Sequence, residues 1–467
     1  MHPADGTDRT GRPRLGRRTP RGARQWEAMS TPSPTRSTRT AWVVWTATVV
    51  VYFVGVTHRT ALGVAGVEAL DRFGMQATGL ALFSVVQLTA YAAMQIPAGQ
   101  LIDRLGPRTM LTAGAAVMAT GQLTLALAHD VPLALVARVL IGAGDAPIFI
   151  GACRLVAEWF PARRVPVMVQ VTGLIGQSGQ LASAIPVAWL LHTRGWTTTF
   201  GTLAAVGAVT AVVAFSFVRA PRRAAVVERE PFWEDVRRAT APHGTRLGFW
   251  SHFVTPFSAN LIAMLWGVPF FVTAQGLTPA QASLLLTALT LTAMSAGPVI
   301  GHLTARHPLR RSAIVLTSAI ATLLAWVSVL AFDTPRPMWQ LVVFVVVLGA
   351  GGPVSLVGMD FARTYSPPER LGTASGFVNI GGFASTIASV LAVGLVLQLV
   401  SPPGTTRYSL DAYRLAFSVV LVPWLVGVAG VLVNRRRTRA DLAATGVVVP
   451  PLRSVLAARA RDRQGRG

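Results

Sequence analysis

Apolar runs of about 18 residues or more recur along the chain from Ala41 to Val433, and each can cross ~30 Å of hydrocarbon as a helix. Lipid offers the backbone no hydrogen-bond partners, so a spanning run must bond to itself, which a helix does. Twelve spans follow from the pattern, at about 41–68, 75–98, 109–128, 131–160, 166–192, 196–218, 247–273, 279–304, 311–332, 338–362, 371–400 and 412–433. Turn chemistry separates them: Asp71-Arg72-Phe73-Gly74, His129-Asp130, Phe160-Pro161, Arg194-Gly195, Thr278-Pro279, Thr334-Pro335 and Ser366-Pro367-Pro368. Of 467 residues, 52% are hydrophobic and 13% charged, against roughly a quarter charged in soluble proteins. A soluble helical array of this size cannot hide so much apolar surface. The expected fold class is an all-α integral membrane protein with twelve transmembrane helices.

The spans fall into two sets that echo each other. The hairpin Gly99-Gln-Leu-Ile-Asp103-Arg104-Leu-Gly106-Pro107-Arg108 returns 202 positions later as Gly301-His-Leu-Thr-Ala305-Arg306-His-Pro308-Leu-Arg310-Arg311. At a spacing of 207, Gly142-Ala-Gly144 matches Gly349-Ala-Gly351, Gly151 matches Gly358, Pro161 matches Pro368 and Arg163 matches Arg370. Duplicated helical bundles that move against each other make a secondary transporter. The expected domains are a disordered basic tail over 1–40, a six-helix bundle over 41–218, a cytoplasmic linker over 219–246, a second bundle over 247–434 and a basic tail over 435–467. Phe232-Trp233 in the linker reads as an amphipathic piece at the membrane surface.

Net charge is +23, and all 42 basic residues are arginine. A soluble chain so basic would suggest nucleic acid, but topology explains this one and no nucleic-acid partner is expected. With both termini inside, 34 arginines fall in cytoplasmic segments, five in outer loops (Arg72, Arg194, Arg336, Arg407, Arg414) and three inside spans. That split is a positive-inside signal for a multi-pass cell (inner) membrane protein. The C-terminal arginines suit anionic lipid heads. The first forty residues hold no apolar core for a signal peptide, and Met29 is a second candidate start. One cysteine, Cys153, allows no internal disulfide and no cysteine metal cluster. The histidines form no metal-ligand spacing, and there is no phosphate-binding loop for an ATP-driven pump. No cofactor or metal is expected, and the chain reads as a monomer.

An ionisable residue inside a span costs at least ~2.5 kcal/mol and is a site hypothesis by default. Arg59, beside His58, lies eighteen residues into span 1; it reads as a cargo-contacting cation, an interhelical partner or a snorkelling boundary residue. Asp145 sits about 21 Å into span 4, with Arg138 two turns earlier on the same face. That carboxylate reads equally as a proton carrier or half of a static ion pair, with substrate contact as a third reading. Arg154 and Glu158 are an i,i+4 pair nearer the inner end. In the hairpin, Gly99 lets span 2 approach a neighbour and Gly106 allows the turn. Asp103 can meet the positive end of a facing helix and pair with arginine, and Glu158 can accept Arg104 or Arg108. These residues read as a cytoplasmic gate that closes in one state and parts in the other, or as a basic loop that fixes topology. In the second copy Ala305 replaces the acid, which leaves the latch lopsided, while Asp360 and Arg363 act at the end of span 10. Gln177 in span 5, Trp266 in span 7 and Asn379 in span 11 are polar candidates for the cavity, and Gly173, Gly176 and Gly179 allow close packing.

These residues resemble the major facilitator superfamily. Its loop pattern between helices 2 and 3, G-x-L-x-D-R-x-G-R-[RK], is matched by Gly99, Leu101, Asp103, Arg104, Gly106 and Arg108, with Pro107 as the departure. Its helix-4 pattern R-x-x-x-G-x-G is matched by Arg138, Gly142 and Gly144, and Glu158-Trp-Phe-Pro161 looks like the usual end of that helix. The resemblance implies two pseudo-symmetric six-helix bundles. The string Tyr52-Phe-Val-Gly-Val-Thr-His58-Arg59 is similar to the helix-1 arginine segment of organophosphate and organic-anion members, which implies an anionic cargo facing Arg59. Those members pair it with an arginine in helix 7, where this chain has His252, Asn260 and Trp266, so a phosphate ester is disfavoured.

The expected function is alternating-access transport of a small solute, an organic anion, coupled to a proton or other ion as symport or antiport. The alternatives are a proton-coupled exporter of drugs or amphiphiles and, more distantly, a non-transporting membrane sensor. Catalytic groups are not clustered, so the chain is not expected to be an enzyme.

Overall fold

The computed structural model describes residues 38–74, 77–219, 231–402 and 407–447. The tail expected over 1–40 lies outside the described residues up to position 37, as do Met29, 220–230 of the linker and 448–467. Residues Pro34–Arg435 form one compact unit. The described residues beyond it, 436–447, are helical to Ala444.

All regular structure among the described residues is helical. The first half contains α1 (Thr38–Val64), a short α2 (Gly66–Phe73), α3 (Ala77–Leu105), α4 (Pro107–Leu127), α5 (Val131–Trp159), α6 (Val165–Gln177) and α7 (Ala188–Phe217). Gly195, at φ 75°, breaks α7 into two pieces, so that residues 165–217 cross twice. A connector helix, α8 (Phe232–Thr240), leads to the second half. That half contains α9 (His243–Val254), α10 (Pro279–Arg306), α11 (Arg311–Leu330), α12 (Met338–Val354), α13 (Val357–Tyr365), α14 (Leu371–Val400), α15 (Leu410–Ser418) and α16 (Leu421–Ala444). Two π turns, Ile262–Trp266 and Phe270–Ala274, interrupt the seventh crossing after α9. With α3 counted, the described residues make the twelve crossings of a membrane bundle.

Local chemistry sets the helix ends. Asp130 accepts the Leu133 amide at 2.8 Å to cap α5, and Thr278 with Gln281 forms a reciprocal capping box on α10. Gly106 turns at φ 85°, and Pro107 then opens α4, where its missing N–H is harmless. The proline that departs from the hairpin pattern is therefore a helix start.

Glycines allow the close helix contacts. A Cβ on Gly142 would strike the Gln87 carbonyl of α3, and one on Gly349 would strike the Leu289 carbonyl of α10. These two duplicated positions thus perform the same service in each half. Gly114 and Gly144 meet each other's carbonyls, and Gly179 meets that of Phe53. The outer faces stay apolar: Val206, Val209, Val212 and Phe215 of α7 are all exposed, a stripe that lipid covers.

The halves share one core at one end and keep separate cores at the other. Met359, Ala362, Leu371, Ala374 and Val378 of α13 and α14 join Tyr52, Ile148, Val156, Trp159 and Met168 of the first half in a single buried cluster. This is the end that carries α8, called the linker end below. At the far end Phe83, Trp196 and Phe200 form one cluster, and Phe257, Phe270, Phe344, Tyr413 and Phe417 another. The structure is closed at the linker end.

Gly144→Val is expected to force α4 and α5 apart, costing about 1–3 kcal/mol by overpacking. Thermal unfolding in detergent checks it, with Gly201→Val, whose added atoms meet open space, as the control. Equal melting temperatures for the two variants would contradict the contact.

Candidate functional site

At the linker end, the backbone of Gly99 on α3 lies against that of Gly372 on α14, leaving no room for a Cβ on either. This approach carries Asp103 to the first turn of α14. Its carboxylate accepts the amides of Gly372 at 2.8 Å and Thr373 at 2.7 Å, and the Thr373 hydroxyl at 2.8 Å. Those amides are unpaired within their own helix, and the helix dipole adds to the attraction. Arg154 of α5 pairs with the same carboxylate, donates to Glu158 at 2.8 Å and reaches the Pro368 carbonyl at 3.3 Å. Glu158, expected to receive Arg104 or Arg108, receives Arg154. Arg108 turns instead to the Phe215 carbonyl at 2.8 Å, its guanidinium 4.4 Å from the Phe215 ring. Arg104 is exposed at the end of α3.

Among the described residues the second copy of the hairpin makes no carboxylate clasp across the interface, although its Gly301 packs against Pro166 and Val167 at the start of α6. Asp360 on α13 pairs with Arg363 at 2.6 Å, and also with Arg311 on α11 at 2.5 Å. Arg311 is buried, donates to the Asp360 and Pro308 carbonyls, and lies 5.0 Å from the Phe361 ring. The sequence reading counted it as loop charge. Ala305 has thus lost its acid, and the arginine of that hairpin finds its carboxylate within its own half.

Deeper in the first half, Arg59 grips Asp145 with both prongs of its fork, Nε to Oδ2 at 2.6 Å and Nη2 to Oδ1 at 3.1 Å. Sequence spacing offered Arg138 as the partner of Asp145; the partner is Arg59, from the helix packed alongside. Arg138 is buried, and its Nε and Nη1 find no acceptor among the described residues. Below Arg59, at 5.2 Å, lies the ring of Tyr91 on α3. Asn379 of α14 donates to the Tyr91 hydroxyl at 3.1 Å and to Gln95 at 2.8 Å, and Phe383 packs 4.8 Å from the Tyr91 ring. A chain of contacts therefore runs from the Arg59–Asp145 pair to the second half. The sequence reading missed Tyr91 and Gln95, although an i,i+4 polar pair inside an apolar span is a readable signal.

Three candidates lie apart from this cluster. His58, adjacent to Arg59 in sequence, points the other way: it faces Gly207 of α7 and lines a small cavity with Met118 and Thr210. Successive residues of a helix are about 100° apart, so neighbours in sequence face different helices. Trp266 donates to the Val390 carbonyl at 3.2 Å and meets Tyr413 edge-on, inside the second half. Gln177 is exposed and accepts from Gln180 at 2.9 Å.

Duplicated six-helix halves, a glycine–aspartate hairpin clasping the opposite half, and charges buried between helices define a membrane transporter of the alternating-bundle class. The sequence model of the Major Facilitator Superfamily matches residues 44–247 and 248–462, and the chain belongs to that family. It is 29% identical over 181 residues to the probable L-galactonate transporter of Escherichia coli K12, a match covering 38% of this chain and 40% of the relative. It is 21% identical to the probable galactarate/D-glucarate transporter GudP of the same organism, over 73% of this chain and 83% of the relative. The hexuronate transporter of Bacillus subtilis 168 matches at 26% identity over 34% of this chain and 38% of its own length. Among solved structures, the human organic anion transporter MFSD10 (TETRAN) superposes with a TM-score of 0.59 at 16% identity, over 83% of this chain and 99% of that one.

Arg59→Gln should destabilise the protein by about 3 kcal/mol or more, since it leaves the buried Asp145 carboxylate unpaired, and Asp145→Asn by less, since Arg59 keeps partial exposure. The double variant should cost far less than the sum. A thermal-unfolding double-mutant cycle measures this, and additive losses would show that the two side chains do not interact.

Proposed function

We propose that this protein carries a small organic anion of the sugar-acid class across the cell membrane by alternating access, with the bundles over 41–218 and 247–434 rocking about a central site. The observation that carries the reading is Arg138, a buried guanidinium with unfilled donors. An unpaired cation within a span is costly, and a visiting carboxylate would satisfy it. Arg59 supplies a second fork within the same half, so a cargo with one or two carboxylates has candidate partners. Asn379, Tyr91 and Gln95 offer donors and acceptors suited to hydroxyl groups. The relatives' names, which specify galactonate, galactarate, glucarate and hexuronate, support the same class.

Arg59 is engaged by Asp145 before the cargo arrives. An anion that takes Arg59 releases the Asp145 carboxylate in a closed, dry setting, where taking up a proton removes the cost of a lone charge. Asp145 is the group we assign to proton coupling. Gly99, Asp103, Arg154 and Glu158 form the gate, Arg104, Gly106 and Arg108 belong to the hairpin that carries it, and the arginine distribution supports a cytoplasmic position. Both termini then lie in the cytoplasm, and one chain contains a whole pathway.

Purified protein should be stabilised by galactonate, glucarate or a hexuronate and not by organic cations of similar size. At 100 times its dissociation constant a ligand adds about 2.7 kcal/mol, readable as a thermal shift. Arg59→Lys should bind more weakly, because it keeps the charge but loses the fork, and Arg138→Gln should lose the shift. Stabilisation by cations alone, removed by Asp145→Asn, would favour the exporter reading instead. Reporter fusions after Arg219 and Arg437 should read cytoplasmic, and an outside reading at either would overturn the topology.

A further inference from the structure

The connector helix α8 does more than join the halves. Asp235, in its first turn, accepts Arg370 Nε at 2.7 Å through Oδ1 and Gln100 Nε2 at 3.1 Å through Oδ2. Gln100 also donates to the Phe232 carbonyl at 3.3 Å, so it grips the start of α8 twice. Gln100 lies on α3, three residues before Asp103, and is buried. Arg370 is the residue that caps α14, two positions before Gly372. One carboxylate on a third element therefore ties together the two helix ends that Asp103 clasps directly. The neighbouring Glu234 plays no part in this tie. Arg238 and Arg237 of the same helix bond to it and hold its carboxyl below the usual carboxylate range, and exposed pairs of that kind contribute little.

We propose that Asp235 is a positioning residue of the transport cycle: α8 is a second clasp on the linker-end gate, which lets go of Gln100 when the gate opens while keeping Arg370. This rests on the alternating-access reading above. Opening must part α3 from α14 by several ångströms, and the two oxygens of one carboxylate cannot span that gap. One partner has to leave. The bond to Arg370 joins opposite charges and is short, whereas those from Gln100 come from a neutral amide and are longer, so Gln100 is the weaker partner. Continuity points the same way, because α8 passes into α9 through only Ala241 and Pro242, with the Arg246 side chain bonded to the Thr240 carbonyl at 3.0 Å. The first half's grip on α8 is the one built to break, and the clasp travels with the second half. Asp103 fixes the depth to which the gate closes, and Asp235 adds a hold that breaks independently.

Cys153, the single cysteine, reports on this gate without modification of the chain. It is buried and lines a small cavity between the halves with Gln170, Thr304 and Ser375. Opening at the linker end exposes it. In full-length protein purified in detergent, Asp235→Asn is expected to speed alkylation of Cys153 by a small maleimide about fivefold, because it weakens the bond from Gln100, which only the closed state makes. Gln100→Ala, which removes the same closed-state bond from the other side, is expected to speed alkylation by at least as much. An unchanged rate in Asp235→Asn, with an unchanged melting temperature, would overturn the proposal. If that variant does not fold, spin labels in an otherwise native chain with Cys153→Ser decide. The Arg238–Glu369 distance should stay single while Arg238–Leu105 shows a second, longer population. A second population in the Arg238–Glu369 pair instead would overturn the assignment. Neither readout uses a substrate, so a wrong cargo class leaves this test intact.

Discussion

The arrangement depends on the closeness of two backbones, Gly99 against Gly372. In lipid the apolar surfaces of two bundles gain little from touching, because acyl chains are equally apolar, so association relies on close packing and interhelical hydrogen bonds. The missing side chains bring α3 within reach of the first turn of α14, and only then can Asp103 receive the amides of Gly372 and Thr373. The same carboxylate holds Arg154, which in turn holds Glu158 and the Pro368 carbonyl. The contacts that cross between the halves presuppose that approach. A gate made this way closes to one fixed depth.

The halves descend from one pattern but carry different chemistry. Ionisable groups between the helices of the first half include the buried Arg138 and Asp145 and the half-buried Arg59, besides Arg154 near its linker end. Those of the second half that form ion pairs, Arg311 and Asp360, lie at the linker end. Its interior toward the far end is aromatic, built on Phe270, Trp326, Phe344, Tyr413 and Phe417. The first half therefore offers charge recognition, and the second presents polar neutral groups such as Asn379 from the glycine-bearing helix α14. The contacts from Asn379 and Phe383 to Tyr91, which lies under Arg59, connect the two contributions. A change in the state of the Arg59–Asp145 pair is thereby next to the interface that must move.

The amino-acid sequence by itself determined the helices, their number and their duplication, because run length, turn residues and repeat spacing are local properties. It also placed Arg154 four residues before Glu158 and Gly99 on a helix end, since one helix fixes its own faces. Partnerships between helices were decided only by the tertiary structure. Asp145 has Arg138 two turns away on its own helix, yet it bonds Arg59 from α1; His58 and Arg59 are consecutive, yet they face different helices. Arg311 read as loop charge and is buried against Asp360, and the bridge from Asp235 to both Gln100 and Arg370 spans 135 positions in each direction. The physical reason is that periodicity gives the direction of a side chain about its own axis, whereas its partner depends on how each helix is rotated and shifted against its neighbours. That is set by close contacts such as Gly144 on Gly114 and Gly99 on Gly372, which exist only once the bundle has formed.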